Sequence, residues 1–472
     1  MLNQNEKTFV ADIFGAMPEE LETLRVRMAS QYVMLLHLVR TPVVLDKSGL
    51  VAGDLFQKWK VSPDKKEFTF TLKKSQKWSD GSQILPSDFV KTFKRQILSN
   101  NSTHFDFSTV ESVDLTKDGQ FRVKLKKKNS NFIFQLTHPE FGVVRVKNGA
   151  IDLTVTSGPF SLAKHSVKER KFYFIRNNFY PLHDTKSPKQ ILFQAKGLES
   201  QISGLVSGEI DFVVPAKQIS VDKHKIIVKS PLTKVVSPKI GFTHWISLNA
   251  ESNNLDNLSK RKGILKILSN AKLDFTPYIP FWQPANQLYL PDGFGRPTNA
   301  EINLAWKKIF EITKKLNNPD RLTFVTTRDF PFNVAIKDAF KVEGIALDLK
   351  YYKTSGELDR IILEREFDLL LTNNDFSSPD LLENLLVTFN TARPLVFAEH
   401  RNRRFRNLLD VSKAQEDKEK LYANVKKIGL DLIAGGNIFP VAYDLKKFYI
   451  LDKYDLSNWS TLYPEISFWK LK

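Results

Sequence analysis

Histidine is the first residue type to ask for chemistry, and the eight in this chain stand at positions 37, 104, 138, 165, 183, 224, 244 and 400. No two are set at the spacing of a local metal motif, so neither a zinc site nor any other cofactor is expected. Cysteine is absent, which removes disulfides, thiolate ligands, thiol nucleophiles and a lipid-attachment thiol together. The run Gly204-Leu-Val-Ser207-Gly208 lacks the glycine that a serine-nucleophile elbow needs two residues before the serine. It reads instead as the end of a helix followed by a turn. Gly293-Phe-Gly295-Arg-Pro-Thr298 lacks the third glycine of a dinucleotide loop and follows no strand, and no Gly-Lys-Ser/Thr phosphate loop occurs. Carboxylates paired in space for acid-base work are not legible along a chain. What remains is a binding chemistry. Asn373-Asn374-Asp375-Phe376 follows the apolar run Phe367-Asp-Leu-Leu-Leu371, so a carboxylate and a ring stand at the carboxyl end of an expected central strand. In open α/β sheets ligands gather at that end.

The elements that must hold Asp375 are the most legible part of the chain. Leu322–Thr327 reads as a strand, Pro331–Val342 as a helix, Ile345–Tyr352 as a strand, Gly356–Arg365 as a helix and Phe367–Thr372 as a strand. Strands alternating with helices over short links require parallel pairing with right-handed crossovers. Earlier, Pro18–Arg40 shows apolar residues at three- and four-residue steps and reads as an amphipathic helix. Strands are expected at 68–72 and 121–125, with a helix from Ser87 between them, which makes 41–154 a compact α+β segment. Further strands are expected around 172–176, 191–194, 210–214, 225–229 and 242–248. A helix over 416–434 stops at Gly435-Gly436, and strand-like segments follow at 439–442 and 448–451.

The length of 472 residues exceeds what one core normally serves and predicts two or three lobes. Hydrophobic residues make up 42% and the 36 Phe far outnumber the 4 Met, so the chain can fill sizeable cores with rings. The net charge of +18 is spread along the chain, and its short basic runs, such as Lys126-Lys-Lys128 and Arg403-Arg404, carry no recognised nucleic-acid module. No nucleic-acid partner is expected. The first residues, Met1–Phe9, are polar and show neither a signal peptide nor a membrane anchor.

Several motifs in order then resemble one family. Leu50-Val-Ala-Gly-Asp-Leu-Phe-Gln-Lys-Trp59-Lys-Val-Ser62, Phe68-Thr-Phe-Thr-Leu-Lys-Lys74, Lys77-Trp78-Ser79-Asp80-Gly81-Ser82 and Ser87-Asp88-Phe89-Val90 are similar to the signature of the family 5 extracytoplasmic solute-binding proteins. This family includes the oligopeptide, dipeptide and nickel binders of ABC importers. Thr156-Ser-Gly158-Pro159-Phe160, Arg176-Asn177, Leu205-Val-Ser-Gly208-Glu-Ile-Asp211, Asn402 to Leu409 and Phe439-Pro440-Val441 extend the likeness over nearly the whole chain.

The resemblance implies an α/β fold of the two-lobed periplasmic-binding-protein type II, with mixed sheets, a hinged cleft and an extra inserted α+β domain. It assigns 1–40, 155–248 and 441–472 to a discontinuous first lobe, 41–154 to the insertion and 249–440 to the second lobe. In peptide-binding members an aspartate after the strand equivalent to Phe367–Thr372 pairs with the ligand's α-ammonium, and Asp375 matches that position. Phe105, Trp245, Phe376 and Tyr443 fall in segments that border the cleft in relatives. Thr372 replaces the usual aromatic three residues earlier, and Ser378-Pro379 stands for the usual acidic-Pro pair. The implied protein is a monomeric, extracytoplasmic, non-enzymatic subunit. Its partners are an oligopeptide or other small solute and membrane permease subunits, with only peripheral membrane contact. The alternatives are a ligand-sensing or regulatory protein of the same fold and a hydrolase of the peptides it binds.

Overall fold

The computed structural model describes residues 7–13, 17–24, 26, 28–102, 105–147, 150–184, 186–215, 219–238, 241–279, 281–290, 293, 295–311, 319–352, 355–375, 382, 384–385, 403–413, 415, 417–461 and 465–472. They form two compact units, one of residues 1–238 and 447–472 and the other of residues 239–446.

The first unit holds two hydrophobic cores. One lies on a seven-stranded mixed sheet in the order Phe160–Ser166, Lys171–Arg176, Gln190–Gln194, Thr8–Ile13, Phe212–Val214, Phe448–Leu451, Thr233–Val236. Thr8–Ile13 runs parallel to both of its neighbours, and the apolar residues facing the core include Phe9, Ala11, Phe174, Phe193, Phe212 and Phe468. The other core belongs to the segment between Val43 and Val143. Here the antiparallel sheet Phe56–Val61, Glu67–Leu72, Phe121–Leu125, Val110–Leu115 turns Phe56, Phe68, Phe70, Phe121 and Val123 onto the helix Pro86–Ser99, which answers with Phe89 and Phe93. Rings at 4.5–5.7 Å fill the space between them, mostly tilted or edge-on with Phe56 and Phe121 parallel, a packing that uses the ring quadrupoles.

The return from this segment is sterically tight. Gly158 donates its N–H to the Leu38 carbonyl at 2.9 Å, and a Cβ on Gly158 would stand 2.4 Å from the Leu38 carbonyl carbon. Only glycine fits there. Beside it, Arg40 and Asp54 form a buried ion pair, with Arg40 Nε donating to Asp54 Oδ1 at 2.9 Å and Arg40 Nη1 donating to Gln76 Oε1 at 2.6 Å. The Arg40 guanidinium lies 5.3 Å from the Tyr180 ring centroid, so one cation ties the segment to residues on either side of it.

Two expectations for the first unit change. The helix expected over Pro18–Arg40 is confined to Ala29–Leu38. Upstream, Glu22 accepts from the Leu24 amide at 3.0 Å and from Arg95 Nη1 at 2.8 Å, which holds the chain out of helical form. The strand expected at 225–229 is the end of a helix, Val221–Lys229. Ser220 caps it by accepting from the Lys223 amide at 3.4 Å, and Asp222 sits in the first turn against the helix dipole. The β-branched run Ile226-Ile-Val228 favoured strand but was outweighed by the cap.

The second unit is built on one six-stranded mixed sheet in the order Trp282–Pro284, Ile438–Asp444, Phe242–Leu248, Leu369–Asp375, Arg321–Thr326, Ala346–Tyr351. Arg321–Thr326 is parallel to both Ala346–Tyr351 and Leu369–Asp375, as the alternation of strands and helices requires. Asn333–Val342 and Ser355–Glu364 are the intervening helices. Residues 239–248 and 441–446 fall in this unit and not in the first, because Phe242–Leu248 pairs along its length with Leu369–Asp375 on one side and with Ile438–Asp444 on the other.

Candidate functional site

The strand carrying Asp375 is pinned at its start. Asp368 is buried, and its carboxylate accepts from Thr323 N at 2.7 Å, from Asn254 Nδ2 at 3.1 Å and from Ser252 Oγ. Asn249 donates its side-chain amide to the Phe367 carbonyl at 2.9 Å. Each of these acceptors is satisfied, so the strand enters the sheet in one register. Leu369, Leu370 and Leu371 then cross the interior, and the strand ends at Asp375.

Register defines what stands around that end. Phe242 is opposite Asp375 on one side and opposite Asp444 on the other, and Asp444 is opposite Trp282. One row across four strands therefore reads Trp282, Asp444, Phe242, Asp375. His244, two residues along from Phe242, belongs to the same alternating set. Its ring stacks on Trp282 at 4.6 Å with an interplanar angle of 24°, and Phe330 lies 6.1 Å from Trp282. Phe332 closes on Phe330 at 5.6 Å and on Trp282 at 5.8 Å. Phe330 and Phe332 sit in the loop after Arg321–Thr326, held by Asn333, which accepts from Thr326 Oγ1 at 2.9 Å and donates to the Thr327 carbonyl at 2.7 Å.

Two charged groups adjoin this aromatic wall. Lys446 Nζ lies 3.7 Å from the Phe242 ring centroid. His244 Nε2 is 3.7 Å from Asp444 Oδ2, an ion-pair distance and too long for a direct hydrogen bond. Burial alone would raise the Asp444 carboxyl, but the His244 ring and Lys446 outweigh it and hold the group below the usual carboxylate range. The row thus offers the Asp444 carboxylate, ring faces and hydrogen-bonding edges, the chemistry of recognition.

The residues singled out from sequence are distributed unevenly. Asp375, Trp245 and Tyr443 lie on three adjacent strands of this sheet. Trp245 is fully buried and donates its Nε1 to Ser247 Oγ at 3.1 Å. Tyr443 donates its hydroxyl to Asn286 Oδ1 and to the Gln287 carbonyl, each at 3.3 Å, and burial pushes its phenol up to about 12. Trp245 and Tyr443 occupy the alternate strand positions to Phe242, His244 and Asp444. Phe105 belongs to the first unit, where Phe107, Phe132 and Phe141 surround it at 4.9–5.6 Å and leave it 4% exposed. A contact through Phe105 would require its ring to leave that core. Phe376, Ser378, Pro379, His104 and His400 lie outside the described residues.

Sequence reading missed His244, Trp282, Phe330, Phe332 and Asp444. The rule that ligands collect at carboxyl ends of strands, applied to Arg321–Thr326 as it was to the strand of Asp375, points to the loop with Phe330 and Phe332. His244 and Trp282 become visible only through register, which no local pattern encodes. Among the described residues no group of three or more His, Asp or Glu could hold a metal ion, and no helix is long and apolar enough to cross a membrane.

The model of the bacterial extracellular solute-binding proteins, family 5 Middle, matches residues 51–393. The chain is 22% identical over 294 residues to the periplasmic oligopeptide-binding protein OppA of Haemophilus influenzae, covering 55% of this chain and 53% of that protein. It spans about half or less of the length of the curated relatives it matches. Among solved structures it is similar to the periplasmic binding protein DppA from Helicobacter pylori in complex with the peptide STSA. The TM-score is 0.78 and the identity 18%, over 98% of each chain. It is also similar to NikA from Brucella suis in complex with Fe(III)-EDTA, with a TM-score of 0.80 and 15% identity over 99% of this chain and 100% of that one. These likenesses establish the periplasmic-binding-protein fold. With the family model matching well over half of its residues, the chain belongs to family 5 of the bacterial extracellular solute-binding proteins.

Proposed function

We propose that this protein is the solute-capturing subunit of an ABC importer and that its solute is a peptide, held without covalent change in a cleft between two lobes and passed to membrane permease subunits. The observation that carries the reading is the position of Asp375. An aspartate placed at the carboxyl end of an interior strand, in register with Phe242, suits an α-ammonium group, which a carboxylate binds through charge-assisted hydrogen bonds. Trp245 and Tyr443 act as supports for that strand end rather than as contacts. The family is one of solute binders, and the reading extends this to a monomeric, non-enzymatic protein working outside the cytoplasm.

A second reading keeps the fold and changes the solute. A neighbour in complex with Fe(III)-EDTA shows that this fold also accommodates a metal chelate. Native mass spectrometry of protein purified without denaturation separates the two. The peptide reading expects a bound mass that fragments into amino-acid residues. A bound chelate or sugar would overturn it.

A further inference from the structure

Buried polar atoms in folded proteins are nearly always paired, because one left unpaired loses its hydration without recompense. In the second unit three such atoms sit in one stack. Trp282 Nε1 and both ring nitrogens of His244 are buried and have no hydrogen-bond partner among the described residues. Trp282 is 5% exposed and His244 8%. The rings that carry these atoms face each other at 4.6 Å, and the carboxylate of Asp444 stops 3.7 Å short of His244 Nε2. The donor and acceptor inventory is specific. The indole N–H only donates, a neutral imidazole donates once and accepts once, and a carboxylate only accepts. A group that completes this set must both accept and donate within a short span, and one residue of an extended peptide does so through its own C=O and N–H, which point to the same side. The buried rings of Phe330 and Phe332 pack on Trp282, exclude water and raise the value of each such bond.

The register supplies a distance. Asp444 stands two strands away from the position of Asp375, and Trp282 stands three strands away. Strands are spaced by about 4.8 Å, so these positions lie roughly 10–15 Å from Asp375 along the row. An extended peptide rising about 3.3 Å per residue covers that length with three to four residues.

We propose that Trp282, His244 and Asp444 hold the backbone C=O and N–H of one residue of the captured solute, three to four residues along from its α-ammonium, so that the protein selects peptides longer than two residues. This rests on the reading of Asp375 as the ammonium partner, and it adds a length requirement and a second point of recognition. Trp282 Nε1 donates to the guest carbonyl, and the guest N–H donates into His244 and Asp444.

The test is calorimetric titration of the full chain with di-alanine, tetra-alanine and N-acetyl-tetra-alanine. Tetra-alanine is expected to bind about ten-fold or more tighter than di-alanine, the worth of one or two buried hydrogen bonds. Trp282→Phe keeps the ring and removes only the N–H. It is expected to shrink that ratio to below about three-fold while leaving the preference for the free amino group intact. His244→Gln, which keeps a donor and an acceptor, is expected to retain more of the ratio than His244→Leu. Circular dichroism confirms that each variant folds. Equal affinity for the two lengths, or a ratio unmoved by Trp282→Phe, overturns the proposal. Failure of the ammonium reading looks different: N-acetylation then changes nothing while the length ratio persists. Binding of no peptide at all overturns both.

Discussion

Replacing Asp375 by Asn is expected to lower the affinity for free-amino tetra-alanine by about 30-fold or more, since truncating one partner of an enclosed charge pair costs 2–5 kcal/mol. For N-acetyl-tetra-alanine the same replacement is expected to change affinity by less than about three-fold, because no cation is left without its partner. The difference between the two losses carries the information. Asn keeps the size and one acceptor of Asp, so a general disturbance of the strand end would weaken both ligands alike. The start of the strand is anchored independently through Asp368, Asn249 and Thr323, so the fold does not depend on the charge at residue 375. Titration calorimetry of the unaltered chain and the Asp375→Asn variant with both peptides reads the result, and equal losses would remove Asp375 from the site.

The second large effect concerns stability. Asp54→Ala is expected to destabilise the first unit by about 3–5 kcal/mol, because it leaves a guanidinium buried without its counter-charge. The Arg40 side chain is 4% exposed and that of Asp54 is 8%, so water cannot take over. Arg40 also contacts Gln76 and the Tyr180 ring, which places the loss at the joint between the 43–143 core and the seven-stranded sheet. The double variant Arg40→Met with Asp54→Leu is expected to recover most of the loss, since apolar residues of similar volume replace buried ion pairs at little cost. Denaturant unfolding of the single and double variants measures both. A loss below about 1 kcal/mol for Asp54→Ala is what an exposed pair would give and would contradict the burial argument.

Where the chain repeated a short-range pattern, its fold was legible. The run Leu369–Leu371 is apolar and follows a short link from the preceding helix, so the place of its strand inside a mixed sheet followed from the residues themselves. Phe68, Phe70, Phe121 and Val123 alternate with polar residues and lie on the core side of their sheet for the same reason. The misread segments are those where a single polar contact overrode the pattern. Ser220 turned a β-branched run into a helix, and Glu22 shortened the helix before Ala29. The edges of the two units followed from strand pairing between residues nearly two hundred positions apart, as with Phe242 and Asp444, and sequence has no local signal for that.

The candidate site divides in the same way. The position of Asp375 at a strand end was legible because the strand before it could be read. Phe105 is a ring that sequence could not sort between cleft and core, and three other phenylalanines enclose it. His244 had seven histidines for company and nothing to distinguish it until register put Trp282 and Asp444 beside it.

Capture without conversion is the claim on which the rest depends, and recovery of the ligand tests it directly. A defined mixture of free-amino peptides of two to eight residues is incubated with the purified chain, the complex is isolated by gel filtration, and bound and unbound fractions are weighed by mass spectrometry. The account predicts that peptides travel with the protein in stoichiometric amount and come back at their original masses. Fragments that accumulate with time, or a protein that elutes with no peptide from any mixture, would contradict it.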